Sequence, residues 1–208
     1  IRPDMEIHYT TDGSEPTATS PLYEKIVPVK EALTLKGATF AYGRQMGKTL
    51  ILPVRWNLAT AKPVLGTNPT EKLLTNGIRG SLKYSDFEWC SWADNDSVSF
   101  TIDLLKPEML NTLTLGCITN NGMAIHKPAS VRVEVSDDNS KFREAVVQSF
   151  TSEEIFREGN FIENLSLKLG GTQARYVRVT AKGPGVCPAS HVRPGQTSRI
   201  FFDEVMLE

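Results

Sequence analysis

Apolar residues recur at every second position along this chain. Met5, Ile7 and Tyr9 alternate with Glu6 and His8, and Leu50, Leu52, Val54, Trp56 and Leu58 share one side of an extended segment. The alternation runs unbroken through Val98-Ser-Phe-Thr-Ile-Asp-Leu104 and Val131-Arg-Val-Glu-Val135. Leu165, Leu167 and Leu169 form another such face, as do Val177, Val179 and Ala181. The chain closes with Phe201, Val205 and Leu207 on one face and Phe202, Glu204 and Met206 on the other. Successive side chains of an extended strand point to opposite faces, so this pattern predicts half-buried antiparallel sheets. Helical spacing is scarce. It is confined to Asn68–Leu74 and to Thr151–Arg157, where a Thr/Ser pair before Glu153-Glu154 reads as an N-terminal cap.

Turn residues punctuate these strands. In Ile7–Tyr23, a short strand runs into Asp12-Gly13, a pair that tolerates the positive φ of tight turns, followed by Pro16 and Pro21, each fixing φ. A rigid β-hairpin is the expectation there. Asp94-Asn-Asp96 and Asp137-Asp138 read as hairpin turns, since they lack the spacing and glycine of a calcium-binding EF-hand loop. The domain boundary is placed near Asn57, giving units of 1–56 and 57–208.

Composition narrows the function. With 23 Lys+Arg against 24 Asp+Glu the formal charge is -1, which argues against a dedicated nucleic-acid binder. No stretch approaches the roughly 18 apolar residues of a membrane span. The chain opens at Ile1 without an initiator Met or a signal-like region, so it is expected to be a piece of a longer protein. Cys90, Cys117 and Cys187 show no CxxC or zinc-type Cys/His spacing, and three reduced, buried thiols are expected, a single disulfide with one free thiol being the alternative.

The string IHYTTDGSEPTATSPLY resembles the chitobiase/β-hexosaminidase C-terminal domain, a small β-sandwich found behind glycoside hydrolase barrels. Downstream, Leu74-Thr-Asn-Gly-Ile-Arg-Gly-Ser81, Trp89, the Ser97–Leu104 strand, Pro128–Ser136 with Asp137–Phe142, Ala174–Val179 and Ile200–Val205 follow in order. That succession is similar to coagulation factor V/VIII type C, or discoidin-like, domains, a jelly-roll shared with carbohydrate-binding module family 32. The resemblance implies an all-β chain: a small immunoglobulin-like sandwich, then an eight-stranded discoidin-like jelly-roll. Together the modules look like the end of a bacterial family 20 β-N-acetylhexosaminidase, an exported enzyme, which implies a periplasmic or extracellular location and an upstream hydrolase barrel.

The resemblance also implies sites. A structural calcium is expected at Asn76-Gly77, Ser81 and Glu204, with oxygen ligands that suit a hard cation. Asn76 stands where the family usually has Asp, so one negative charge is lost; a plain Asn-Gly turn is the alternative. A terminal hexose or N-acetylhexosamine needs an aromatic face for its C–H side and fixed donors for its hydroxyls. Candidates in the pocket-forming loops are Tyr84, Phe87, Trp89, Trp92, His126, His191 and Arg193. Trp89 and Trp92 serve equally as packed residues at a loop base, and each histidine as a packing residue. The loop GPGVCPASHVRPGQ, which carries His191 and Arg193, is longer than a hairpin needs. Arg79 and Arg175 are expected to support loops through ion pairs. No catalytic constellation emerges: HExxH, GxSxG and phosphate-loop patterns are missing. Asp86/Glu88 and Glu153/Glu154 do not make the opposed carboxylates of a glycosidase. A scaffold or interaction module without a sugar site is the rival function.

Overall fold

A computed structural model describes residues 4–25, 27–92 and 97–208. Asp94-Asn-Asp96 lies outside the described residues. The chain forms two compact units, Ile1–Trp56 and Asn57–Glu208.

In the first unit, β1 (Glu6–Thr10), β2 (Leu33–Ala41), β3 (Arg44–Gln45) and β4 (Leu50–Val54) make one four-stranded antiparallel sheet in which β2 pairs with the other three. After β1, Asp12 accepts the Ser14 amide in a side-chain turn and Gly13 takes φ +79°. The returning segment is no second strand. It rejoins β1 through a single bridge, His8 to Leu22, because Pro16 and Pro21 have no N–H to donate. The Pro21 carbonyl instead accepts the Tyr9 amide, and buried His8 bonds the Ser20 carbonyl at 2.6 Å.

The second unit is a seven-stranded antiparallel sheet folded over one core. Its strands are β5 (Val64–Leu65), β6 (Cys90–Trp92), β7 (Ser97–Asn120), β8 (Ser130–Ser136), β9 (Arg143–Ser149), β10 (Asn160–Lys182) and β11 (Ile200–Leu207), in the order β6-β11-β7-β10-β8-β9 with β5 on β7. The long strands β7 and β10 pair along most of their length, with register shifts at Lys168–Thr172 and Ala174–Tyr176. There the sheet turns over. Residues before and after the bend on β7, such as Phe100, Ile102, Leu113 and Leu115, join a single apolar cluster with Val133 of β8, Val179 of β10 and Phe202 of β11. A β-sandwich results, and burial of that apolar surface is its main driving force.

The predicted cap is present: Thr151 and Glu154 form a reciprocal capping box on α1 (Ser152–Ile155), a single turn. Over the other predicted helix the chain makes a 3-10 turn, Glu71–Thr75. All three cysteines are buried free thiols, and burial raises the Cys90 thiol to about 12 and pushes Cys117 up as well. Arg175 clamps Asp103 through two bonds of 2.8 and 2.9 Å, the supporting ion pair expected of it.

Candidate functional site

Two loops of the sandwich carry the candidate residues. The first, between the 3-10 turn and β6, is tied down by consecutive carboxylates of β11. Gly77, at φ +78°, donates its amide to Glu204 Oε2 at 3.0 Å. Arg79 Nε and the Gly80 amide both donate to Asp203 Oδ2, at 2.6 and 2.9 Å, and a second Arg79 nitrogen reaches Asn164. A Cβ at Gly80 would run into the Trp89 ring, so the backbone passes against the indole only as glycine. The loop then closes on itself. Asp86 accepts the Ser81 and Glu88 amides at 2.8 and 3.1 Å, and the Trp89 indole N–H donates to the Ser81 carbonyl at 3.0 Å.

Glu204 is fully buried, its Oε1 makes no hydrogen bond, and burial raises it to about 9. Asn76 Oδ1 accepts the Ile78 amide while its amide nitrogen bonds Glu88, and Ser81 Oγ accepts the Lys83 amide. The Gly77 bond sets Asn76 one residue from the Glu204 contact, whereas Ser81 is exposed with its hydroxyl bonded to the Lys83 amide.

The aromatics separate sharply. Trp92 stacks on Phe100 with a 12° interplanar angle and meets Phe202 edge-on, inside the core. Trp89 is buried as well, and Tyr84 packs edge-on against Phe201. Both tryptophans are therefore core residues, with no face left for a sugar. Phe87 is 93% exposed on the carboxylate-braced loop.

The second loop is the Gly183–Ser198 insertion. It is closed by the Val186–Thr197 bridge and by Cys187–Gln196 and Gly195–Cys187 backbone bonds. It folds back to place His191 Nε2 3.2 Å from Nε2 of His126, which is fully buried. The Arg193 amide donates to His191 Nδ1, so the neutral His191 ring carries its proton on Nε2 and donates it to His126. Phe156 lies edge-on to both rings, and burial first, then His191, lowers His126 to about 4. The His126 and His191 rings are thus a buried pair, not pocket walls. Arg193 is exposed and bonds Gln196. Cys187 joins this pair: one ligand atom each from His126, Cys187 and His191 lie within 4.8 Å of one another. The local signal in the sequence is Cys187-x3-His191, which is a zinc-type Cys/His spacing only in company with His126, 61 residues before Cys187.

The model for the F5/8 type C domain matches residues 59–192. The chain belongs to that family. The model for the chitobiase/beta-hexosaminidase C-terminal domain matches residues 1–50, ahead of the F5/8 type C unit. Both are non-catalytic modules. No curated protein matches the chain. Among solved structures, the F5/8 type C fold is similar to the module CpGH89CBM32-6 of Clostridium perfringens, at 18% identity over 74% of this chain and 98% of that one, TM-score 0.48. The lectin domain of Lectinolysin, complexed with Lewis B antigen, aligns at 15% identity over 74% and 96%, TM-score 0.47. The C-terminal domain of a Bacteroides fragilis chitobiase aligns at 16% identity over 66% and 78%, TM-score 0.39. Among the described residues no helix is long and apolar enough to cross a membrane.

Proposed function

We propose that the F5/8 type C unit binds a terminal hexose or N-acetylhexosamine and holds glycan close to the catalytic barrel of a longer, exported β-N-acetylhexosaminidase. The chain is then that enzyme's non-catalytic end, working in the periplasm or outside the cell. The observation that carries the sugar reading is Phe87. A phenyl ring 93% exposed on a loop braced by Asp86, Asp203 and Glu204 gains nothing from core packing. It offers the rigid apolar face that the C–H side of a pyranose needs. A weak site of this kind acts by raising the local concentration of glycan near the upstream active site.

Calcium fits the Glu204 seam. A buried carboxylate with an unpartnered oxygen is costly unless a cation or a proton neutralises it. Glu204 would supply the charge, and Asn76 and Ser81 neutral oxygens, clamping the loop that carries Phe87. With Asn in place of Asp, that clamp is a weak one.

A second reading, scaffold, draws on the first unit. There Ile7, Tyr9, Tyr23, Leu35, Leu50 and Leu52 line an apolar hollow of about 410 Å³. A surface of that kind suits packing against another domain. A glycan array probed with the purified chain separates the two: binding to terminal hexoses supports the lectin, and silence across the array leaves the scaffold.

A further inference from the structure

Three ligand-bearing side chains converge where the long insertion meets the sandwich, and the sugar reading uses none of them. His126 and His191 present Nε2 atoms 3.2 Å apart, and the Cys187 thiol completes a triangle within 4.8 Å. All three residues are buried. Two nitrogens bound tetrahedrally to one zinc at roughly 2.0–2.1 Å stand about 3.3 Å from each other. The histidine pair already has that separation.

We infer that His126, Cys187 and His191 form a zinc site that staples the Gly183–Ser198 insertion to the F5/8 type C sandwich. One thiolate and two imidazoles are a borderline-soft donor set, which selects zinc-class ions over calcium or magnesium. The ligands come from two places: Cys187 and His191 from the insertion, His126 from the segment between β7 and β8. An ion there closes a link across 65 residues of chain. The fourth position is open. Ser198 Oγ, buried and 3.4 Å from Cys187 Sγ, offers an oxygen for it.

The surroundings suit such an ion. Phe156 walls both imidazoles and keeps the site dry. His126 Nδ1 is buried and lies towards the Ile155 carbonyl, which leaves its Nε2 lone pair facing the cluster. Proton balance follows from the bonds present. The thiol gives up its proton on binding, so affinity rises with pH. His191 must move its proton from Nε2 to Nδ1, which breaks the Arg193 amide bond to Nδ1. Loading therefore reshapes the turn at Arg193, an exposed residue. This role is separate from sugar binding, and each is scored by its own readout.

The test uses the untagged chain, reduced and stripped with chelator, then titrated with zinc(II) or cobalt(II). The expected result is one ion per chain, thiolate-to-cobalt charge-transfer absorption, and a rise in melting temperature with zinc. Cys187→Ser should abolish the charge-transfer band and cut zinc affinity at least a hundredfold, and His191→Ala should cut it at least tenfold. Circular dichroism of both variants confirms that the sandwich is folded. A wild-type chain that takes up no zinc, or a folded Cys187→Ser variant that binds it undiminished, overturns the inference.

Discussion

The two loops that flank the sandwich of the F5/8 type C unit are anchored by opposite chemistry. The 76–89 loop is held by carboxyl groups: fully buried Asp203 takes Arg79 as an ion pair along with the Gly80 amide, and Glu204 takes the Gly77 amide. The 183–198 insertion is held by neutral groups, an imidazole pair and a thiol packed on Phe156. In the first loop, carboxyl groups fix the backbone on both sides of the ring it displays, Phe87. In the second the imidazole nitrogens and the thiol bond one another and neighbouring groups of the insertion, neutral hydrogen bonds that an entering ion would replace. Rigid display and ion capture thus come from the same architecture through different side chains.

The sharpest way to break this comparison is to remove one anchor from each loop. Asp203→Ala strands the Arg79 charge and the Gly80 amide, at a cost of about 3–5 kcal/mol in urea unfolding. His191→Ala, in metal-free protein, loses a neutral hydrogen bond and some packing, about 1–2 kcal/mol. Equal costs would erase the distinction between ionic and neutral anchoring.

Glu204 sharpens it through pH. Its carboxyl is raised from an ordinary 4.5 to about 9, chiefly by burial. A raised acid favours folding fully below its unfolded value, and that contribution is lost as pH climbs towards the folded one. With chelator present, stability should therefore fall between about pH 5 and pH 9. Glu204→Gln should remove the slope, matching wild type at the acid end and exceeding it by several kcal/mol at the alkaline end. Added calcium should restore the wild type selectively if the seam holds that ion. A slope unchanged in Glu204→Gln would assign it to another group.

Gly116 of β7 probes the ionic anchor from beneath. A Cβ there would collide with Asp203 Oδ1 and the Arg79 guanidinium, so Gly116→Ala should cost about 1–3 kcal/mol by thermal melt. A neutral effect would mean that the pair yields easily.

Much of the fold could be read from alternation alone. Val98–Leu104 and Val131–Val135 are where period-two patterning put them, and the Thr151 cap followed from a local Thr-x-x-Glu spacing. The closing strand forms as expected, but its faces differ: a register shift between Phe202 and Val205 puts Phe202 in the main core with Val205 and Leu207, while Phe201 joins a second apolar cluster. The far half of β7 was less visible. Lys106-Pro-Glu108 interrupts the alternation, yet pairing with β10 resumes at Glu108 beyond the bend, and Leu110, Leu113 and Leu115 are buried. The site was less legible still. Whether Trp89 faces core or ligand depends on Gly80 letting the backbone lie against its ring, a contact no periodicity encodes. His126 and His191 meet only because the insertion folds back, and no spacing rule links residues so far apart. Phe87 could be singled out because a phenyl ring among Asp86, Glu88 and Ser85 has no apolar neighbours in sequence.

The smallest stability effect carries the most functional weight. Phe87→Ala should move unfolding by less than about 0.5 kcal/mol, as an exposed side chain. Calorimetric titration of wild type and Phe87→Ala with galactose and N-acetylglucosamine tests the central claim most directly. The account predicts weak saturable binding of a terminal sugar by the wild type, reduced about tenfold or more in the variant. Saturable binding that is unchanged in Phe87→Ala, or no heat with any terminal hexose, would contradict it.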